Sequence, residues 1–131
     1  MFQLSTSASS TDTTLRGFLL VAPRHLVDRF GRPIKPSADG KVSGSYVFVT
    51  NAGGTAVVYD WKSTALYSAQ PEADLPSLRE FWESLEPSEF SVSARGPFDL
   101  SAFAPWLGAR GFRTEWKTPW IYLTVLNPGR V

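Results

Sequence analysis

The most regular hydrophobic pattern in the chain is a pair of strand-like runs on either side of a glycine-containing turn. Residues 41–50 and 55–62 are rich in β-branched and aromatic residues, which favour extended structure. Residues 51–54, Asn-Ala-Gly-Gly, lie between them and tolerate a positive φ. This combination predicts a β-hairpin. Both strand faces are apolar near the turn, so we expect one face to meet helices and the other to be covered or used in binding.

Three other stretches space their apolar side chains three and four residues apart, as amphipathic helices do. They are residues 23–30, 77–86 and 99–109. Ser77 stands three positions before Glu80, which is the pattern of a capping box at the start of the second helix. The third helix has two candidate caps. Ser101 would put Pro105 in the first turn, where it costs little, whereas Asp99 predicts a kink.

Further strand-like runs complete the pattern. They are residues 14–21, 89–93 and 119–126, with residues 113–117 as a partner of the last run. Because the hairpin requires antiparallel pairing, the sequence predicts an α+β fold with an antiparallel or mixed sheet of about five strands and three short helices packed on one face. We expect residues 14–131 to form a single domain. The Ser/Thr-rich residues 1–13 are expected to form a flexible N-terminal arm, the alternative being a strand that begins at Phe2.

Composition excludes much of the chemistry that enzymes use. The 131 residues are 43% hydrophobic, enough for one domain with a core, and they include no cysteine and a single histidine, His25. Thiolate chemistry and a histidine-rich metal centre are therefore excluded. The chain also lacks a phosphate-loop and a nucleophile-elbow motif. We therefore expect no catalytic residue, metal or cofactor. We also expect no membrane contact, because no apolar run approaches the ~20 residues that span a bilayer.

Charge is segmented along the chain although the net charge is only +1. Residues 63–99 carry seven acidic and two basic groups, whereas the segments on either side are each net positive. Such a run usually solvates the outer face of a helix. The functional alternative is an acidic surface that steers a basic partner, such as a nucleic-acid-binding protein.

Two sets of residues are candidates for binding. Tryptophan and other aromatic side chains anchor many protein interfaces. The predicted partner contacts are Trp61, Tyr67, Trp82, Glu83 and Glu86. The predicted small-ligand contacts are Asp60 and Arg95, which would have to converge in a pocket with His25. Asp60 also has a structural interpretation, as an acceptor of hydrogen bonds from backbone N–H groups or a nearby arginine.

Aromatic residues on the predicted strands suggest nucleic-acid binding as an alternative function. A stacking platform on the sheet would use Tyr46, Phe48, Tyr59, Trp61, Trp120 and Tyr122. Few lysines or arginines are interleaved with them and no RNA-binding signature accompanies them, so this is the weaker hypothesis. Residues 120–126 lack a charged gatekeeper, which leaves homodimer formation by edge pairing open.

The N-terminal half contains three short motifs: Phe30-Gly31-Arg32-Pro33, Asp39-Gly40-Lys41-Val42-Ser43 and Tyr59-Asp60-Trp61-Lys62. Over about residues 14–67 the chain resembles a group of small hypothetical proteins from bacteriophages and prophages. In that group a Trp-x-Ile-Gly-Gly segment precedes the final helix, whereas residues 90–96 take its place here. The motifs are structural, so the resemblance implies no activity and no functional residue. It implies a phage or mobile-element protein that works in the cytoplasm of a bacterial host.

Together these observations predict a non-catalytic binding protein that occludes the surface of a host protein, for example as an inhibitor of a host defence system. The alternative is a small nucleotide- or nucleic-acid-binding protein that uses the sheet aromatics.

Overall fold

A computed structural model describes residues 2–61, 63–64 and 76–123 as an α+β fold with one seven-stranded sheet. The strands are β1 (Phe2–Ser5), β2 (Thr14–Val21), β3 (Ser45–Thr50), β4 (Thr55–Tyr59), β5 (Ser88–Arg95), β6 (Gly111–Arg113) and β7 (Ile121–Tyr122). The helices are α1 (Pro23–Phe30), α2 (Leu78–Glu83) and α3 (Leu100–Leu107). The strand order is β1-β3-β4-β5-β2-β6-β7, and each neighbouring pair is antiparallel. The predicted α+β class is confirmed, with seven strands instead of about five.

The strand β1 lies where the sequence predicted a flexible arm. Gln3 pairs with Val49 and Leu4 with Phe48, so residues 2–5 form an edge strand beside β3. The Phe2 ring lies 5.0 Å from the Phe103 ring between centroids. The arm prediction is wrong for these residues, because tertiary contacts of Phe2 and pairing with β3 offset the entropy of ordering them.

All three helices pack on the same face of the sheet, as predicted. Alternation along the strands places one set of apolar side chains on that face: Leu19, Val21, Tyr46, Phe48, Val58, Phe90 and Val92. Leu26 of α1, Phe81 of α2 and Phe103 of α3 belong to the same buried cluster. The hydrophobic core therefore lies between the helices and one face of the sheet.

Several helices and strands begin or end at other residues than the sequence predicted. The helix α1 has the predicted bounds, while α2 stops at Glu83 because Ser84 is extended. In α3 the cap is Asp99, so Pro105 lies inside the helix. The strand β7 is shorter than predicted over residues 119–123, and residues 124–126 lie outside the described residues. Homodimer formation at this edge stays a prediction.

Candidate protein-binding groove

The groove is built on a buried carboxylate at the end of β4. Asp60 is fully buried, and its Oδ1 accepts hydrogen bonds from the N–H groups of Ser43 and Gly44 at 2.8 and 3.0 Å. Its Oδ2 accepts the Ser43 hydroxyl at 2.7 Å. Burial raises the pKa of Asp60, and these hydrogen bonds oppose that shift. Asp60 thereby fixes the segment that leads into β3.

The same network orients Trp82 of α2. The Trp82 indole Nε1 donates to Ser43 Oγ at 3.0 Å, which extends the chain of donors that ends on Asp60. Trp82, one of the predicted partner contacts, is only 9% exposed, so little of its surface is open to a partner. A Cβ added to Gly44 would lie 2.7 Å from Trp82 Cζ2 and 2.8 Å from Pro33 Cβ. The chain therefore needs a glycine where these two side chains meet.

A groove with a volume of about 780 Å³ opens over Trp82. It lies between α1, α2 and residues 32–36, and its apolar lining includes Val27, Pro33, Ile34, Leu78 and Trp82. Ile34 is 52% exposed and Leu78 39% exposed. We call this feature the α1–α2 groove.

The two helical walls of the α1–α2 groove are fastened to each other. The N–H of Arg24, in the first turn of α1, donates to the carbonyl of Ser84, just after α2, at 3.0 Å. Each helix end thus satisfies a backbone group that the other would leave unpaired. The Asp28 hydrogen bond and charge raise the pKa of Arg24, and Glu83 on the opposite wall adds to the effect.

Charges on the walls are unequally distributed. Arg24 pairs with Asp28 at 2.9 Å, and Arg79 pairs with Glu83 at 3.2 Å, each within one helix. Two further cations, Arg32 and Lys35, stand on the third wall and have no ion pair or hydrogen bond with any described side chain. One side of the lining therefore carries two positive charges that the described side chains do not pair with.

The predicted partner contacts do not form one surface. Trp82 and Glu83 line the α1–α2 groove, whereas Glu86 does not. Trp61 lines a separate cavity of about 390 Å³, together with Phe18 and Trp116. Tyr67 lies outside the described residues.

The predicted ligand pocket of Asp60, Arg95 and His25 is wrong, because each side chain is engaged in a different place. Arg95 donates to the carbonyls of Ser9 and Thr11, both at 2.7 Å. Its backbone pairs with Thr55, five positions before Asp60 along β4 and so about 16 Å away. His25 Nε2 donates to the Leu107 carbonyl at 2.9 Å. The structural interpretation of Asp60 as an acceptor for backbone N–H groups is confirmed.

The structure does not bring the proposed stacking aromatics onto one exposed face. Tyr46 and Phe48 are buried under the helices. Tyr59 points to the other side of the sheet, where its hydroxyl lies 2.9 Å from Ser93 Oγ. Tyr122 is exposed on β7, at the far edge of the sheet. A continuous platform of these residues is therefore excluded.

The acidic segment is less free than its composition suggested. Within residues 76–99, four carboxylates have partners: Glu80 in the capping box, Glu83 with Arg79, Glu89 with Arg113 at 2.5 Å, and Asp99 as the cap of α3. Glu86 is exposed without such a partner in the described part of the chain. The described carboxylates thus act mostly within the fold, which weakens the basis for a basic partner.

Sequence reasoning missed Arg32, Ile34 and Lys35 as site residues. The signal in the sequence is the segment Arg-Pro-Ile-Lys-Pro at residues 32–36. In it, a single isoleucine lies among two prolines and two basic residues. Prolines fix the backbone of a loop and so hold such a side chain in place.

Comparison with known proteins provides no family for this chain. No protein-family model matches it, and no curated protein matches it significantly. Among the residues that the structure describes, no helix is long and apolar enough to cross a bilayer. The same residues contain no cluster of three or more metal-ligating side chains.

Proposed function

We propose that the protein is a non-catalytic binding protein and that the α1–α2 groove holds a segment of another protein. The observation that carries the proposal is the exposed apolar strip of Ile34 and Leu78 above Trp82, bordered by charged side chains. Apolar anchors with a charged rim and a nearby tryptophan are typical of protein interfaces. The resemblance to phage proteins supports a bacterial host protein as the partner, and occlusion of that protein's surface is the effect that we propose.

Rigid walls favour this function. The hydrogen bond between Arg24 and Ser84 fixes the spacing of the two helices, and the Asp60–Ser43–Trp82 network fixes the floor. A partner that enters such a groove orders few side chains of the receptor, so less of the interaction free energy is lost on binding.

The test compares one substitution inside the groove with one outside it. The immobilised protein and its Ile34→Glu and Leu85→Glu variants are each incubated with nuclease-treated bacterial lysate, and the retained proteins are identified by mass spectrometry. Leu85 is exposed and is not part of the groove lining, so it is the matched control. We expect a protein that the wild type and Leu85→Glu retain and Ile34→Glu loses. Retention that is equal in all three would contradict the proposal.

A further inference from the structure

We propose that the segment held by the α1–α2 groove is acidic and places its carboxylates against Arg32 and Lys35, an inference that rests on the groove being the contact surface. The residues of the lining include four cations, Arg24, Arg32, Lys35 and Arg79, and two carboxylates, Asp28 and Glu83. This excess of positive charge favours an anionic occupant.

The helical walls contribute little to the charge preference. Arg24 and Arg79 each have a carboxylate one turn along the same helix, within 2.9 and 3.2 Å. An exposed pair of this kind is already neutral as a unit, and a partner would have to compete with it. Selectivity therefore comes from the third wall, where Arg32 and Lys35 are unpaired with the described residues.

The apolar lining defines the rest of the occupant. Ile34, on the same wall as Arg32 and Lys35, lines the groove together with Leu78 and Trp82. A bound segment needs a bulky apolar side chain to cover this strip, and acidic residues beside it to meet Arg32 and Lys35. The chemistry thus fits an amphipathic peptide segment with acidic and apolar residues next to each other.

A nucleic acid fits the groove less well than a peptide. Binding to a phosphate backbone draws its free energy from several Lys or Arg contacts along the strand. The groove offers two cations that no described residue pairs with, next to an apolar strip that a phosphate backbone would leave uncovered.

The experiment selects binders from a displayed library of short random peptides. Wild type, Arg32→Glu/Lys35→Glu and Ile34→Glu proteins are used in parallel, with Arg110→Glu/Lys117→Glu as the charge-matched control. Arg110 and Lys117 are exposed and do not line the groove. We expect acidic–apolar peptides from the wild type and the control, their loss with Ile34→Glu, and a shift to basic peptides with Arg32→Glu/Lys35→Glu.

The outcomes separate the two proposals. Peptides that depend on Ile34 but show no acidic preference overturn the acidic occupant and leave the groove as the contact surface. No Ile34-dependent peptide overturns both. An oligonucleotide that binds as tightly as the best acidic peptide also overturns the inference.

A quantitative check uses the best selected peptide. Its affinity is measured by fluorescence anisotropy with Arg32→Gln/Lys35→Gln and with Arg110→Gln/Lys117→Gln as control. Two exposed ion pairs account for about a tenfold loss in affinity in the first variant, and the loss shrinks at high salt. Equal affinity of both variants would contradict the assignment of Arg32 and Lys35.

Discussion

Asp60 accepts three hydrogen bonds and is shielded from water, so its charge loses solvation that those bonds only partly replace. The same residue determines where Ser43 lies, and Ser43 in turn accepts the indole N–H of Trp82. At the residue scale, then, the shape of the groove floor depends on a carboxylate that the groove does not expose.

Replacing Asp60 with alanine should destabilise the protein by about 3 kcal/mol. The change leaves the Ser43 N–H, the Gly44 N–H and the Ser43 hydroxyl without their acceptor, and each unsatisfied buried donor costs about 1–3 kcal/mol. Urea unfolding measures the effect. Asp39→Ala is the control, because Asp39 is an exposed carboxylate with local hydrogen bonds. A loss no larger than that of the control would show that the network contributes nothing.

The pKa of Asp60 also predicts a pH dependence. Because burial raises this pKa in the folded state above its ordinary value of 3.8, the unfolded chain releases the proton at lower pH than the folded one. Stability from this group is therefore fully present below pH 3.8 and is lost as the pH rises through the folded-state value. The unfolding free energy of the wild type, relative to Asp60→Asn, should fall with rising pH in that window. A flat or rising difference would refute the direction of the shift.

At the scale of elements, local sequence signals determine the ends of one helix but not those of another. The bounds of α1 follow from Pro23 at its start and Gly31 after its end, which are signals in the sequence itself. By contrast, α2 has six residues instead of the predicted ten, because Ser84 is extended, and the Ser84 carbonyl accepts the Arg24 N–H of α1. A periodic pattern cannot reveal where a helix will meet the end of another.

The capping box of α2 should make a measurable contribution. Ser77 accepts from the Glu80 N–H, and Glu80 accepts from the Ser77 N–H. Ser77→Ala removes the first of these bonds and should cost about 1 kcal/mol in unfolding free energy, measured with urea. Ser101→Ala should cost less, because Asp99 still caps α3 through the Ser101 N–H. Equal losses would mean that the serine in the capping box has no special role.

At the scale of the whole molecule, an aromatic cluster joins β1 to the helical layer. Phe2 on β1 lies against Phe103 and Trp106 of α3, with ring centroids 5.0 and 5.4 Å apart. Phe48 of β3 and Phe30 of α1 belong to the same cluster, 5.1 Å from each other. The edge strand, the sheet and two helices thus share one set of ring contacts.

Phe2→Ala should loosen β1 and lower the unfolding free energy by about 2 kcal/mol, less than the ~3–5 kcal/mol typical of a fully buried phenylalanine. Hydrogen exchange should also become faster at the amides of Val47 and Val49, which alternate with the Thr50 N–H that bonds to Gly54 and therefore face β1. Gln3→Ala, an exposed position on the same strand, is the control. Unchanged exchange in Phe2→Ala would show that β1 docks without its aromatic contact.

The sequence by itself determined the α+β class, the hairpin, the starts of α1 and α2 and the exclusion of thiolate chemistry, because these depend on short-range periodicity, capping residues and composition. Only the tertiary structure decided that residues 2–5 form a strand, that Asp60, Ser43 and Trp82 form one network, and that Arg32 and Lys35 border an apolar groove. Asp60 and Ser43 are 17 positions apart, and the paired residues of β1 and β3 are 42 to 48 positions apart. Contacts over such separations depend on how the elements pack, which no local pattern in the chain encodes.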